Sequence, residues 1–197
     1  LALLLYLLTP TARRNMLLDL WIALLLTILS PFGGLLALGI RSAGAVWTLW
    51  STKRLPALSD LASLLPLMLG ALPLSFYYLW LTRVHPQLAV WNAQNLTLAP
   101  PLWDTLLAFA PPFLLIPLAL PYLRTPITNP HQTAARRILL IWLALALLML
   151  YAPIGLQRRF LMGFYIPLAI LAAPGISAIR KRWQRSLFWS AATLTNA

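Results

Sequence analysis

The chain contains no cysteine and no glutamate, and its acidic residues are limited to Asp19, Asp60 and Asp104. Without cysteine there can be no disulfide framework, no thiolate metal site and no cysteine nucleophile. Three aspartates and two histidines, widely separated in the sequence, also argue against a dedicated protein metal site. Charged residues make up 9% of the chain, whereas soluble domains average about 25%. An ordinary soluble globular domain is therefore not expected.

The composition of the chain is mainly apolar, and most of its charged residues are basic. Of 197 residues 61% are hydrophobic, and 15 Lys and Arg against three acids give a net charge of +12. A basic chain can bind nucleic acid, but a soluble nucleic-acid-binding protein would not carry this much apolar length. Long apolar runs with an excess of Lys and Arg are typical of a multi-span membrane protein. We therefore predict membrane lipid as a partner, and no nucleic acid.

Six apolar stretches are candidates for membrane-spanning helices, since a bilayer core about 30 Å thick requires about 20 helical residues. They cover residues 1–8, 16–40, 56–82, 102–123, 138–151 and 160–179. The apolar runs are continuous rather than alternating, which argues against a membrane barrel. The predicted fold is an all-α transmembrane helical bundle of about six spans, forming a single transmembrane region over residues 1–197. Because apolar runs are cut at both ends, we expect a fragment of a larger membrane protein.

Basic residues in the loops predict the orientation. Alternate loops place ten Lys and Arg on one side and five on the other, and cytoplasmic loops carry the excess. The loop 84–101 and the turn 152–159 are then outside. If residues 16–40, which contain Pro31 and Gly33, dip into the membrane and return, Arg13 and Arg14 move inside and the ratio becomes 12 to 3. The ten are Arg41, Lys53, Arg54, Arg124, Arg136, Arg137, Arg180, Lys181, Arg182 and Arg185, and the five are Arg13, Arg14, Arg83, Arg158 and Arg159.

Two features of the predicted outer side could bind a ligand. Gln157, Arg158 and Arg159 place two guanidinium groups where the positive-inside rule disfavours them. They would either bind a phosphate ligand through paired hydrogen bonds or reach lipid phosphates by snorkelling. The clusters Arg136-Arg137 and Arg180-Lys181-Arg182 are instead expected to be topology anchors.

The outer loop is unusually polar for this chain. Trp91, Asn92 and Asn95 offer the aromatic face and the amides that sugar recognition uses, although Trp91 could equally belong to an interfacial aromatic belt. Asp104, just after the loop, is a candidate sugar or acceptor contact. Since it follows Pro100 and Pro101, we favour a helix N-cap role for it.

The last third of the chain carries a family resemblance. Residues 151–173 read YAPIGLQRRFLMGFYIPLAILAA. This segment resembles the late membrane region of bacterial GT-C-type integral membrane glycosyltransferases, which share an aromatic-Pro turn, an outward Gln-Arg-Arg and a following Ile-Pro-Leu span. The segment from Trp91 to Asp104 is similar to their late outer loop. The resemblance covers roughly residues 86–182.

The resemblance implies an enzyme of the cell inner (plasma) membrane that takes a sugar from a polyprenyl-phosphate carrier at the outer face. Gln157, Arg158 and Arg159 would face the carrier phosphate. The catalytic acid of the family lies in an upstream outer loop, so no residue of this chain inherits that role. No cofactor is evident, although a divalent cation is implied for some such enzymes. A transporter or flippase with proline-broken helices, or a non-catalytic membrane subunit, remains an alternative.

Overall fold

A computed structural model of the chain describes residues 1–9, 15–53, 55, 58–152, 157–179, 186 and 190. Within these ranges the chain forms ten α-helices, one 3₁₀ helix and no β-strand, which confirms the all-α prediction. The basic cluster 180–185 and the residues Arg13, Arg14 and Arg54 lie outside the described residues.

The helices begin and end at recognisable signals. The Asn15 side chain accepts hydrogen bonds from the backbone N–H groups of Leu17 and Leu18. Pro31, Pro66 and Pro86 each occupy the first turn of a helix, where the missing N–H costs nothing. The helices are α1 (Ala2–Leu8), α2 (Met16–Leu29), α3 (Pro31–Thr52), α4 (Leu58–Ala62), α5 (Leu65–Val84), α6 (Pro86–Gln94), α7 (Leu102–Ala108), α8 (Ala110–Arg124), α9 (Pro130–Leu150) and α10 (Tyr165–Ala178), with the 3₁₀ helix at Gln157–Leu161.

The helices that are long enough to span a membrane differ from the six predicted stretches. Among the described residues, α3, α5 and α9 are long and apolar enough to cross a membrane, and α7 with α8, bent by 84°, could form a fourth span. The helices α2 and α10 are apolar but shorter. Large apolar side chains remain exposed along these helices, such as Leu29 at 76% and Trp50 at 71%. So much exposed apolar surface is what a helical bundle in lipid presents.

Residues 16–40 do not form one straight span, and the predicted break lies at Ser30. This residue ends α2 and begins α3, where its hydroxyl accepts a hydrogen bond from Gly33 N. The backbone of Gly34 lies directly against the side chain of Thr27. Residues seven apart in a straight helix are about 10 Å apart, so α2 folds back along the start of α3. Residues 16–40 therefore belong to two adjacent helices rather than to one continuous helix.

The α3 helix also continues twelve residues past the predicted end at Ile40. Arg41 therefore lies inside a helix and not in a loop, and its Nη2 donates to the Ser63 hydroxyl at 2.7 Å. The reason is local: a basic residue does not end a helix, and no proline follows before Pro56.

Three other boundaries are corrected. The predicted loop 84–101 contains α6, which starts at Pro86. The predicted stretch 56–82 is divided into α4 and α5, and α5 continues through Pro73, a tolerance known for membrane helices. The α9 helix starts at Pro130 rather than at 138.

Arg136 helps to explain the early start of α9. Its Nη1 donates to the carbonyl oxygens of Leu123 at 2.8 Å and Thr125 at 3.0 Å. These carbonyls lie at the end of α8, where a cation is favourable. Arg136, expected to be a topology anchor, thus also holds the turn between two helices.

The chain divides into two compact units. The first comprises Leu1–Leu98 with Ala144–Met162, and the second Ala99–Leu143 with Gly163–Ala197. In the first unit α2, α3 and α5 pack together, and Gly70 of α5 lies against Ala23 of α2. In the second unit α8 packs on α10, with Gly175 against a carbonyl of α8. The candidate site below belongs to the first unit.

Candidate functional site

The predicted Gln-Arg-Arg turn lies just beyond the end of a candidate membrane span. The α9 helix ends at Leu150, and the chain resumes after residues 153–156 as the 3₁₀ helix Gln157–Leu161. We refer to residues 157–159 as the corner. Arg158 and Arg159 are exposed and Gln157 is half-buried, so two guanidinium groups are displayed where a helix of spanning length stops.

Arg158 is fixed to the end of the predicted outer loop. Its backbone N–H donates to the carbonyl of Thr97 at 3.2 Å, and its Nε donates to the carbonyl of Leu98 at 2.7 Å. A guanidinium carries five N–H donors in a fixed plane, and the bond to Leu98 uses the one at Nε. The bond therefore fixes the orientation of the guanidinium plane and uses one of its five donors.

Arg159 is oriented by an aromatic pair. Its Cζ lies 5.6 Å from the centre of the Phe32 ring. Phe32 in turn meets the buried Phe160 edge to face, with ring centres 5.2 Å apart and planes at 86°. A guanidinium over an exposed ring gains about 0.5–1 kcal/mol. The start of α3 thus supports the second guanidinium.

Ser30 explains why Phe32 stands at this place. Its capping bond to Gly33 and the proline that follows fix the first turn of α3. Gly33 lies near the Met162 side chain, where an added Cβ would be 3.4 Å from Met162 Sδ. The fold-back between α2 and α3 therefore contacts the same segment that carries the corner.

Gln157 is hydrogen-bonded to a residue just after the end of α9. Its Nε2 donates to the carbonyl of Ala152 at 2.5 Å. The side chain therefore has a structural contact in addition to the predicted phosphate contact.

The predicted sugar-binding residues are only partly brought to the corner. Trp91 is 53% exposed and Asn92 is half-buried, both on α6. The side chain of Asn95 donates to the carbonyl of Trp91 at 2.7 Å and so ends α6. The two residues that reach the corner, Thr97 and Leu98, come immediately afterwards.

Asp104 is not a helix N-cap, so that prediction is wrong. Pro101 takes the cap position of α7, and Asp104 lies in the first turn, where its charge faces the positive end of the helix. The prediction failed because the extended segment ends at Pro101, the second proline of the pair, so that the helix already begins at Leu102. Asp104 belongs to the second compact unit.

Two positive charges lie at the corner. Within the described part of the chain, the side chains of Arg158 and Arg159 contact a carbonyl oxygen and an aromatic ring, not a carboxylate. Asp19, the acid of the first unit whose side chain is described, is 1% exposed on α2. The described residues also contain no group of three or more His or Asp that could hold a metal ion.

Sequence reasoning missed Phe32, Thr97 and Leu98 as partners of the two arginines. Arg158 and Leu98 are 60 residues apart, and no periodic pattern links them. A weak signal existed for Phe32, since an aromatic residue directly after a Ser-Pro helix start is held in a fixed place. Comparison with family models, with curated proteins and with solved structures finds no match.

Proposed function

We propose that this chain is the C-terminal membrane part of a glycosyltransferase that takes its sugar from a polyprenyl-phosphate carrier at the outer face of the cell inner membrane. The observation that carries the proposal is the exposed pair Arg158 and Arg159, oriented by a backbone carbonyl and an aromatic ring next to the end of α9. A lipid phosphate is positioned at the end of a membrane span, so it can meet the pair without leaving the bilayer.

The chemistry of the reaction suits two fixed guanidinium groups. The bond between the sugar's anomeric carbon and the phosphate oxygen breaks, a bond from an acceptor hydroxyl oxygen forms, and the acceptor proton passes to a base. The departing lipid phosphate gains negative charge, and donors already in place stabilise it without reorganisation. Arginine forks match phosphate oxygens in pairs. We expect the base in an upstream part of the protein, and assign no catalytic residue here.

The basic composition of the chain favours an anionic ligand. Fifteen Lys and Arg residues against three aspartates give the chain a net charge of +12, which attracts anionic ligands and lipid headgroups. The described residues contain no group of three or more His or Asp that could hold a metal ion, and no step of the proposed reaction runs through a metal.

A transporter or flippase is the second candidate, favoured by the broken helices. The helical conformation is interrupted at Ser30, and α7 and α8 meet at 84°. Discontinuous helices of this kind are a feature of transporter sites. A flippase would bind the same phosphate but form no new glycosidic bond. The two functions therefore differ in their product and not in their ligand.

The proposal is tested by lipid binding to the full-length protein in detergent micelles, titrated with undecaprenyl phosphate and followed by native mass spectrometry. We expect Arg158→Ala and Arg159→Ala each to weaken binding about tenfold or more, the value of a charge-assisted hydrogen bond. Arg158→Lys should fall in between, since it keeps the charge and loses the fork. Arg83→Ala, exposed at the end of α5, is the matched control and should bind as the wild type does.

Two further results test the phosphate site and distinguish the glycosyltransferase from the flippase. Unchanged binding in both corner variants would remove the proposed site. If binding is lost as expected, membranes containing the full-length protein are supplied with a radiolabelled polyprenyl-phosphate sugar. A labelled acceptor supports the glycosyltransferase, whereas movement of label across vesicles without a new glycosidic bond supports the flippase.

A further inference from the structure

The last turns of α3 expose large aromatic side chains next to a cation. The buried residues of α3 all lie before Arg41, whereas Trp47 is 44% and Trp50 is 71% exposed. The helix ends at Lys53, which is exposed and has a φ of 55°. We refer to Trp47, Trp50 and Lys53 as the first band. Indole rings beside a basic residue at a helix end are typical of a membrane interface.

A second band of the same kind lies near the end of α5. Tyr77 is 50% and Trp80 is 55% exposed, and their ring centres are 6.2 Å apart. Arg83, also exposed, follows Trp80 by three residues, as Lys53 follows Trp50. These three residues form the second band. Both bands belong to the first compact unit, so the contacts among α2, α3 and α5 determine how far apart they are.

Those contacts first give the directions of the helices. The α3 helix runs back along α2, because Gly34 lies against Thr27 on either side of the single connecting residue Ser30. Arg41 is about 10 Å further along α3 and is therefore level with the first turns of α2. Its hydrogen bond to Ser63 places the start of α5 at that same level. The α5 helix thus runs parallel to α2 and opposite to α3, and the two bands lie at opposite ends of this helix group.

The separation of the two bands matches the thickness of a bilayer. Gly70 contacts Ala23, and Trp80 lies about 15 Å along α5 from this level. In the opposite direction, Trp50 lies about 24 Å along α3 from the contact with Thr27, and hence about 18 Å from the level of Ala23. The two tryptophans are therefore about 33 Å apart along the helix axes, and the two cations of the bands are about 40 Å apart. A hydrocarbon core is about 30 Å thick, and a bilayer with its headgroups is about 40–45 Å thick.

The connection between α3 and α5 agrees with this placement. The α5 helix begins at Leu65, about 10 Å nearer to the centre of the bilayer than Trp50, so the chain turns back towards lipid after Lys53. Leu55 and Leu58 lie on this returning segment, and each is 82% exposed. Apolar side chains with so much exposed surface are stabilised by hydrocarbon and not by water.

We propose that the two bands lie at the two interfaces of the bilayer, and that Lys53 binds the headgroup of an anionic phospholipid in the inner leaflet. The first band is assigned to the inner leaflet because Lys53 is on the side with the excess of basic residues. Its ammonium group attracts an anionic headgroup, while Trp47 and Trp50 lie against the adjoining glycerol and acyl groups. This inference concerns a surface away from the corner and does not rest on the proposed function.

The placement is tested by spin-label depth measurements on the full-length protein in vesicles of phosphatidylcholine and phosphatidylglycerol. Depth is obtained from the relative accessibility of each nitroxide to oxygen and to a water-soluble nickel chelate. Labels at Trp50→Cys and Trp80→Cys should give similar, shallow depths. Leu69→Cys, on the 53% exposed Leu69 next to Gly70, is the matched control and should be about 15 Å deeper.

Three results of the depth measurement would overturn the placement. The first is a label at Trp50→Cys that reports bulk water, and the second is one that is as deep as the label at Leu69→Cys. The third is low accessibility of the label at Trp50→Cys to both reagents, which would show that protein and not lipid covers the end of α3. Should Trp50→Cys not fold, Trp47→Cys, one turn earlier, is labelled instead.

The headgroup contact is tested by native mass spectrometry of the full-length protein titrated with phosphatidylglycerol. Lys53→Ala should weaken binding about fivefold, the value of one Lys near an anionic membrane surface. Lys53→Arg keeps the positive charge and should bind as the wild type does. Equal affinity of the wild type and Lys53→Ala would refute the headgroup contact.

Discussion

Replacing Gly70 by alanine should destabilise the protein, although alanine is the better helix former. A Cβ at position 70 would lie 2.7 Å from the Cβ of Ala23 and 3.0 Å from the backbone nitrogen of Leu24. Ordinary contact begins at 3.4 Å, so α2 and α5 would have to move apart. Overpacking of this kind costs about 1–3 kcal/mol, while the helix propensity of alanine returns about 1 kcal/mol. We expect a net loss of up to about 2 kcal/mol in the free energy of unfolding.

The measurement is unfolding in mixed micelles by added dodecyl sulfate, followed by circular dichroism and tryptophan fluorescence. Combining Gly70→Ala with Ala23→Gly removes the contact between the two Cβ atoms, so the double variant should show a favourable interaction of about 0.5 kcal/mol or more. Gly44→Ala, in the half of α3 without buried residues, is the control and should be neutral or stabilising. A gain in stability for Gly70→Ala, such as alanine gives at an uncrowded helix position, would refute the close crossing of α2 and α5.

Three further predictions concern the site, the second unit and the topology. Phe32→Leu should weaken undecaprenyl phosphate binding by about 0.5–1 kcal/mol, because Arg159 loses its aromatic support; an unchanged affinity would show that the ring does not orient the guanidinium. Gly175→Ala should lower stability by about 1–3 kcal/mol through a clash with a carbonyl of α8, measured by the same unfolding assay. In intact cells, an impermeant maleimide should label Gln157→Cys and spare both Asn15→Cys and Lys53→Cys, because α2 folds back on α3; labelling of Asn15→Cys with Gln157→Cys would contradict the fold-back.

The helical class and the break near Pro31 could be predicted from the sequence because both depend on local chemistry. Apolar runs of sufficient length form helices in lipid, and a Ser-Pro pair both caps and starts a helix. The ends of α3 and α9 were misjudged because basic residues were taken to mark the ends of spans. A helix ends where its backbone geometry changes, and Arg41 and Arg136 instead form hydrogen bonds from within their helices.

The candidate site was only half predictable. Gln157, Arg158 and Arg159 were identifiable because two adjacent arginines contradict the expected charge distribution of a membrane protein. Their supports were not, since Phe32 and Leu98 are distant in the sequence and unremarkable in type. The charge pattern of the sequence therefore indicated the two arginines, whereas their contacts with Phe32 and Leu98 depend on packing between distant segments.

Ser30 is the single residue between α2 and α3. A connection this short cannot absorb a change in the number of residues. One inserted residue would turn α3 by about 100° and advance it by about 1.5 Å. Phe32 would leave the face of Arg159 and take the place of Gly33, where a Cβ would lie 3.0 Å from the Leu26 side chain. Point substitutions in the exposed part of α3 should be tolerated, but a change in the number of residues at Ser30 should disable lipid binding and folding together.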